Sequence, residues 1–349
     1  MTFQIALTAD FQKDGKAVYP DFDLGQLKAA RGIKYGFFTE HKSEIEPEQL
    51  KGFQGVIVLT PKVTKHSLSQ SKDLLAICRF GVGYDSVDVS ACTEADVVLC
   101  TTVGAVDRPV AEATVGWMIA LGHRMINKDQ LVRKGLWDQR SEYMGGELRD
   151  RTLGVVGLGG IGSAVIELLK GFGMNQPLVY DPFMDEKNAE KLGVRKVELH
   201  ELMKHSDFIS LHCPLNEHTR DLISYSEVDL MKSSSFIINT ARGGIINEDA
   251  LFTALSQKSI AGAALDCFND EPVIKPNRFG ELDNVILAPH SIAWTQELFR
   301  DIGMMCNQHM IDLANGIRPH GVVNPEVFDR PSFQEKWKAL SVQPNPISS

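Results

Sequence analysis

The chain has 349 residues, with 36 Lys and Arg against 45 Asp and Glu, a formal charge of -9 and 43% hydrophobic residues. At about 100–200 residues per domain it is long enough for two cores, and its composition excludes collagen-like, coiled-coil and disordered chains. The acidic balance argues against coating nucleic acid or clinging to an anionic membrane, and the longest nearly apolar stretch, residues 110–122, carries Glu112 and is too short to cross a bilayer.

The first ten residues, MTFQIALTAD, lack a cationic n-region and a cleavage site, so a cytoplasmic protein is expected. Cys78, Cys92, Cys100, Cys213, Cys267 and Cys306 show no paired spacing. They read as reduced, mostly buried thiols, and no metal site is expected.

Short apolar runs alternate with helical patterns, the signature of parallel α/β sheets. The first hundred residues predict strands at 4–9, 56–59, 74–79 and 97–102, a weaker one at 33–38, and a short helix at 88–95. An amphipathic helix follows at 110–125, led by Pro109, which suits a first helical turn. Beyond it come strands at 153–156, 178–180, 208–211, 236–239, 260–265 and 285–288. Helices at 161–172, 201–205 and 248–256 lie between them, and a last helix at 295–315 ends at Gly316. Residues 331–349 are mostly polar and are expected to be poorly ordered or to lie at the surface.

Gly157-Leu158-Gly159-Gly160-Ile161-Gly162 joins a predicted strand to a predicted helix as G-x-G-x-x-G. The first glycine permits a tight turn, the second lets a pyrophosphate approach the backbone, and the third lets helix pack on strand. The phosphates would then meet N–H groups at the positive end of the helix dipole. Asp181 ends the next strand, where a carboxylate accepts from adenosine ribose hydroxyls. A 2′-phosphate would face that charge with no arginine in the following Pro182-Phe183-Met184, so NAD is expected over NADP.

Hydride chemistry at a nicotinamide needs a proton donor or acceptor and a cation for the substrate. His290 follows a predicted strand and Pro289, at a sheet edge where ligands bind; His212, also after a strand, is its rival. Arg242 lies between the strand 236–239 and Gly243-Gly244, where its planar fork suits a carboxylate. Glu271, past the strand that leads to Asp266, is placed to orient an imidazole. Taken singly, Arg242 reads equally as a structural ion pair, and Glu271 reads more readily as a solvated loop charge.

Across about residues 50–325 the chain resembles the D-isomer-specific 2-hydroxyacid dehydrogenases. The resemblance rests on Arg79-Phe80-Gly81-Val82-Gly83-Tyr84-Asp85, Val110-Ala111-Glu112, the Gly157–Gly162 turn, His212-Cys213-Pro214-Leu215, Thr240-Ala241-Arg242-Gly243-Gly244, Asp266 with Glu271-Pro272, and Pro289-His290. It implies that His290 exchanges a proton with the reacting oxygen, that Glu271 keeps the imidazole protonated, and that Arg242 grips the carboxylate together with the N–H groups of Gly81, Val82 and Gly83. It also implies that Gly160 and Ile161 cover the pyrophosphate, Asp181 the ribose, and Cys213 and Pro214 the adenine. Thr240, Ala241 and Asp266 would adjoin the nicotinamide.

The same resemblance implies a flavodoxin-like substrate domain from residues 1–103 and 295–335, a Rossmann-type NAD-binding domain from 104–294, and a tail at 336–349. The cleft between the two domains would close on substrate. It further implies a homodimer, with 110–140 as the region of contact. The chain departs from the family pattern at Val103 and Val106, and at Trp294 shortly after His290; Arg108 is a candidate for a second anionic group on the substrate. Glu271 argues against the formate-oxidising branch, and the short tail against the long phosphoglycerate dehydrogenases. The expected activity is NAD-dependent interconversion of a small 2-keto acid, such as glyoxylate, hydroxypyruvate, pyruvate or a sugar acid, with its D-2-hydroxy acid. The competing expectation is an NAD(H)-sensing scaffold resembling the C-terminal-binding-protein corepressors.

Overall fold

The computed structural model describes residues 2–342, and the chain divides into two compact units. One comprises Met1–Val106 with Thr295–Ser349, the other Asp107–Trp294.

The first unit contains β1 (Phe3–Leu7), a small antiparallel hairpin of β2 (Gln12–Lys13) and β3 (Lys16–Ala17), then β4 (Ile33–Phe37), β5 (Gly55–Val58), β6 (Ala76–Arg79) and β7 (Val98–Cys100). Five of these make a parallel sheet ordered β4-β1-β5-β6-β7. Leaving the hairpin aside, this is the 2-1-3-4-5 order of flavodoxin-like sheets. Gly55–Val58 is buried throughout, as a strand covered on both faces must be, so it reads as an apolar run without alternation. The helix Val89–Glu94 starts where the Asp88 side chain accepts the Ala91 N–H at 2.9 Å. Thr295 caps the helix Gln296–Ala314 in the same way, through the Leu298 N–H.

Of the two expectations for the polar C-terminal stretch, its described part meets the second: it lies at the surface, and it is helical. Residues Pro331–Leu340 form a helix that buries Phe333 and Trp337, four residues apart on one face, and the Trp337 Nε1–H donates to the Leu313 carbonyl. The rest of the proposed tail, from residue 343 onward, lies outside the described residues.

The second unit contains β8 (Leu153–Val156), β9 (Leu178–Tyr180), β10 (Arg195–Lys196), β11 (Phe208–Leu211), β12 (Phe236–Asn239), β13 (Gly262–Leu265) and β14 (Val285–Leu287). They form one parallel sheet in the order β10-β9-β8-β11-β12-β13-β14. Successive strands run outward from β8 in both directions, so the strand order reverses between β8 and β11. Ligands of such sheets bind outside the carboxyl ends of the strands at this reversal. The helices Asp107–Gly122 and Gly160–Leu169 share one core with the sheet, built on Ala111, Met118, Val155, Val165 and Val179. A second core holds Ile209, Leu211, Ile237, Leu251 and Phe279. The strand β14 is half-buried because it forms the sheet edge. No helix among the described residues is long and apolar enough to cross a membrane.

Candidate active site

Because all seven strands of the second unit are parallel, the residues that follow them gather along one edge. The glycine turn follows β8, Asp181 follows β9, and Cys213 and Pro214 lie beyond β11. Thr240, Ala241 and Arg242 follow β12, Asp266 and the Glu271 loop follow β13, and His290 follows β14. Gly81, Val82 and Gly83 follow β6 in the other unit, where Gly81 has φ +130° and its carbonyl accepts the Thr102 N–H.

The glycines of the turn have separate reasons to lack a side chain. Gly157 has φ +89°, and a Cβ there would stand 2.8 Å from the Cys213 nitrogen. A Cβ on Gly162 would press to 2.6 Å on the Gly157 carbonyl, within the helix–strand contact. Around Gly159, the N-cap of Gly160–Leu169, nothing lies within 4 Å of a Cβ, so this backbone faces open space at a helix N-terminus. A cradle open at Gly159 and closed at Gly157 and Gly162 fits a dinucleotide pyrophosphate. Gly160 faces the Asp107 carboxylate, which burial pushes above the usual range. Asp181 accepts the Leu158 N–H on Oδ2 and the Phe183 N–H on Oδ1, each at 2.8 Å, so it also shapes the turn.

Asn239, buried at the end of β12, moulds the Arg242 turn: its Oδ1 accepts the Ala241 N–H at 3.0 Å and its Nδ2 donates to the Arg242 carbonyl at 2.8 Å. A Cβ on Gly243 would sit 2.0 Å from the Phe268 carbonyl, so only glycine lets this turn meet the β13 loop. That loop in turn holds Glu271, whose Oε1 accepts the Phe268 N–H at 2.9 Å.

His290 sits at φ +52°, a left-handed backbone that a residue with a Cβ adopts only under constraint. The constraint is Asp266. Its carbonyl accepts the His290 N–H at 2.8 Å, and its Oδ1 accepts the N–H groups of Ser291 and Ile292 at 2.8 and 3.2 Å. So fixed, His290 Nδ1 lies 2.7 Å from Glu271 Oε2. Burial raises the Glu271 carboxyl, but the His290 hydrogen bond and charge, the Phe268 N–H and the Arg242 charge together outweigh it, so the net direction is down. Glu271 therefore stays ionised and holds the ring by Nδ1, so Nε2 is the ring nitrogen not engaged by Glu271. Arg242, Glu271 and His290 are thus one electrostatic group, in which Arg242 Nη1 also donates to the Ala241 carbonyl.

The rival His212 is half-buried, its Nε2 is 2.9 Å from Ser210 Oγ, and desolvation of the ring lowers its pKa to about 4. Arg108 pairs with Glu112 one helical turn on, both well exposed. Trp294, the last residue of its unit, is 53% exposed.

The sequence model for "D-isomer specific 2-hydroxyacid dehydrogenase, NAD binding domain" matches residues 115–291. The glyoxylate reductase of Thermococcus litoralis is 35% identical over 280 residues, covering 78% of this chain and 84% of that protein. The chain belongs to the D-isomer-specific 2-hydroxyacid dehydrogenase family. Another member of the family, the D-3-phosphoglycerate dehydrogenase of Methanocaldococcus jannaschii, is 38% identical over 304 residues. That match covers 86% of this chain but 56% of the relative, so the chain spans little more than half the length of that protein. Among solved structures of the family, D-lactate dehydrogenase from Aquifex aeolicus, complexed with NAD and lactic acid, aligns with a TM-score of 0.78. The identity is 28%, over 93% of this chain and 97% of that one.

Proposed function

We propose that the protein is an NAD-dependent oxidoreductase that interconverts a small 2-keto acid and its D-2-hydroxy acid. The observation that carries this reading is His290, held at a left-handed φ with Nδ1 on Glu271, on the same sheet edge as the open glycine cradle. A bound nicotinamide supplies or accepts the hydride. His290 gives a proton to the keto oxygen during reduction and takes it from the hydroxyl during oxidation. Glu271 orients the ring through its contact with Nδ1. Arg242 grips the substrate carboxylate with its planar fork and draws charge from the reacting oxygen.

Asp181 directs the choice of cofactor toward NAD, since a 2′-phosphate would meet its charge. Gly157, Gly159, Gly160, Ile161 and Gly162 hold the pyrophosphate, Cys213 and Pro214 flank the adenine, and Thr240, Ala241 and Asp266 border the nicotinamide. The long exposed side chains of Ile126, Val132, Trp137 and Met144 suit a homodimer contact in this region.

The reading is tested by following NADH oxidation across a panel of 2-keto acids, glyoxylate, hydroxypyruvate and pyruvate among them. Consumption well above a His290→Ala control is expected. Rates equal to that control throughout the panel overturn the reading.

A further inference from the structure

Cys267 adds a third ligating group to the Glu271–His290 pair. It lies two residues past the end of β13, is only 3% exposed, and its Sγ donates to the Ala241 carbonyl at 3.4 Å. One ligand atom from each of Cys267, Glu271 and His290 lies within 4.8 Å of the others. The carboxylate and imidazole side chains are 33% and 46% exposed, so an ion can reach them from solvent while the sulfur forms the floor. No spacing rule reveals this trio, because the ligands come from two loops brought together by β13 and β14.

We propose that Cys267, Glu271 and His290 bind one thiophilic divalent cation of the Zn2+ type, and that the bound ion withdraws His290 from proton transfer. The first half stands on geometry and donor chemistry; the second rests on the function proposed above. Tetrahedral Zn2+ takes sulfur at ~2.3 Å and nitrogen or oxygen at ~2.0–2.2 Å, which sets ligands about 3.3–3.6 Å apart. The trio reaches this with shifts of roughly 1 Å. Nδ1 and Oε2, now 2.7 Å apart, separate slightly as the ion replaces the proton between them. The Cys267 thiol proton leaves to solvent and the imidazole proton moves off Nδ1, so the bonding balances without any oxidant. Three protein ligands leave a fourth position for water or a substrate oxygen. Thiolate selects Zn2+ or Co2+ over Mg2+ and Ca2+, which demand oxygen ligands in larger number.

The experiment titrates the full-length protein, without cofactor, with Co2+ and then Zn2+. A thiolate-to-cobalt charge-transfer band should rise in the near ultraviolet, saturate at one ion per chain, resist Mg2+ and vanish on adding Zn2+. Cys267→Ala and the nearly isosteric Cys267→Ser should lose the band, and their Zn2+ affinity should fall by at least about tenfold in competition with a chromogenic chelator. Glu271→Gln should weaken binding and keep the band. No band in the parent protein, or one that survives both Cys267 substitutions, overturns the site. In keto-acid reduction, Zn2+ should inhibit reversibly, and Cys267→Ala should need at least about tenfold more of it. A Cys267-dependent band with turnover that Zn2+ leaves unchanged overturns the inhibitory half. A band in a protein that reduces no keto acid keeps the site and retires the dehydrogenase reading.

Discussion

Asp266 holds His290 by the backbone on both sides: its carbonyl takes the His290 N–H at 2.8 Å, and its Oδ1 takes the next N–H, that of Ser291, at 2.8 Å. The carboxylate is 5% exposed, and burial drives it above the ordinary range, against the pull of these hydrogen bonds. The residue that fixes the candidate acid/base is therefore a buried acid at the end of the neighbouring strand.

Replacing Asp266 by Ala should leave the Ser291 and Ile292 N–H groups without their acceptor and release His290 from φ +52°. Unsatisfied buried donors cost about 1–3 kcal/mol each. Urea denaturation of Asp266→Ala should show a loss in that range or above. Asp266→Asn retains an oxygen at Oδ1 and should lose less than about 1 kcal/mol from this source. Equal losses for the two variants would mean that the accepted N–H groups are not what Asp266 stabilises.

His212 makes a prediction about acid stability. Its pKa falls from the ordinary 6.5 to about 4 because burial disfavours the charged form. The unfolded chain therefore binds a proton below pH 6.5 that the folded chain refuses until about pH 4. The sign follows: the contribution is fully present above pH 6.5 and is lost as pH falls through that window, by on the order of 3 kcal/mol at its acid end. Stability of the parent protein, measured by denaturant between pH 7 and 4, should fall more steeply than that of His212→Gln. Parallel slopes would show that His212 does not titrate as its burial requires.

Much of the framework is legible in the residues. Phe236–Asn239 is buried on both faces and announces itself as an apolar run, and Asn247 followed by Glu248 and Asp249 marks a helix start. The helix Met125–Lys134 escapes because it buries only Leu131 and begins at Arg124, in a left-handed backbone that no glycine advertises. The strand Arg195–Lys196 escapes because two charged residues at a sheet edge carry no apolar pattern. In the site, Arg242, Glu271 and His290 are legible as chemistry beside strand ends. Asn239 as the mould of the Arg242 turn, and Cys267 as a neighbour of the imidazole, are not. Those roles depend on which loops meet, a tertiary fact that strand-by-strand reading does not contain.

The glycine turn separates space for a ligand from space for packing. Gly159→Ala adds a methyl where nothing lies within 4 Å and φ is -81°, so the fold should tolerate it with a change below about 0.5 kcal/mol. If Gly159 cradles the pyrophosphate as proposed, the same methyl obstructs its approach, and NADH affinity should fall by about tenfold or more. Gly162→Ala forces a Cβ to 2.6 Å from the Gly157 carbonyl and should cost about 1–3 kcal/mol in stability. Thermal unfolding and NADH fluorescence titration on both variants test the split. Unchanged NADH affinity in Gly159→Ala would place the phosphates elsewhere.

Asp181 shapes the glycine turn, the proposed function gives it a second role in cofactor choice, and two substitutions separate the two. Its oxygens accept the N–H groups of Leu158 and Phe183, which shapes the turn, and its charge would oppose a 2′-phosphate. The parent protein should bind NADH at least about tenfold more tightly than NADPH, equivalent to about 1.4 kcal/mol for one repulsive charge near a partly desolvated phosphate. Asp181→Asn removes the charge and keeps one accepting oxygen, so the preference should shrink by about that factor while NADH binding falls less. Asp181→Ala removes both functions, and because the untied Leu158 N–H loosens the whole turn, both cofactors should weaken together. If the NADH to NADPH ratio is the same in the parent and in Asp181→Asn, then discrimination does not come from this charge, and Asp181 serves the turn alone.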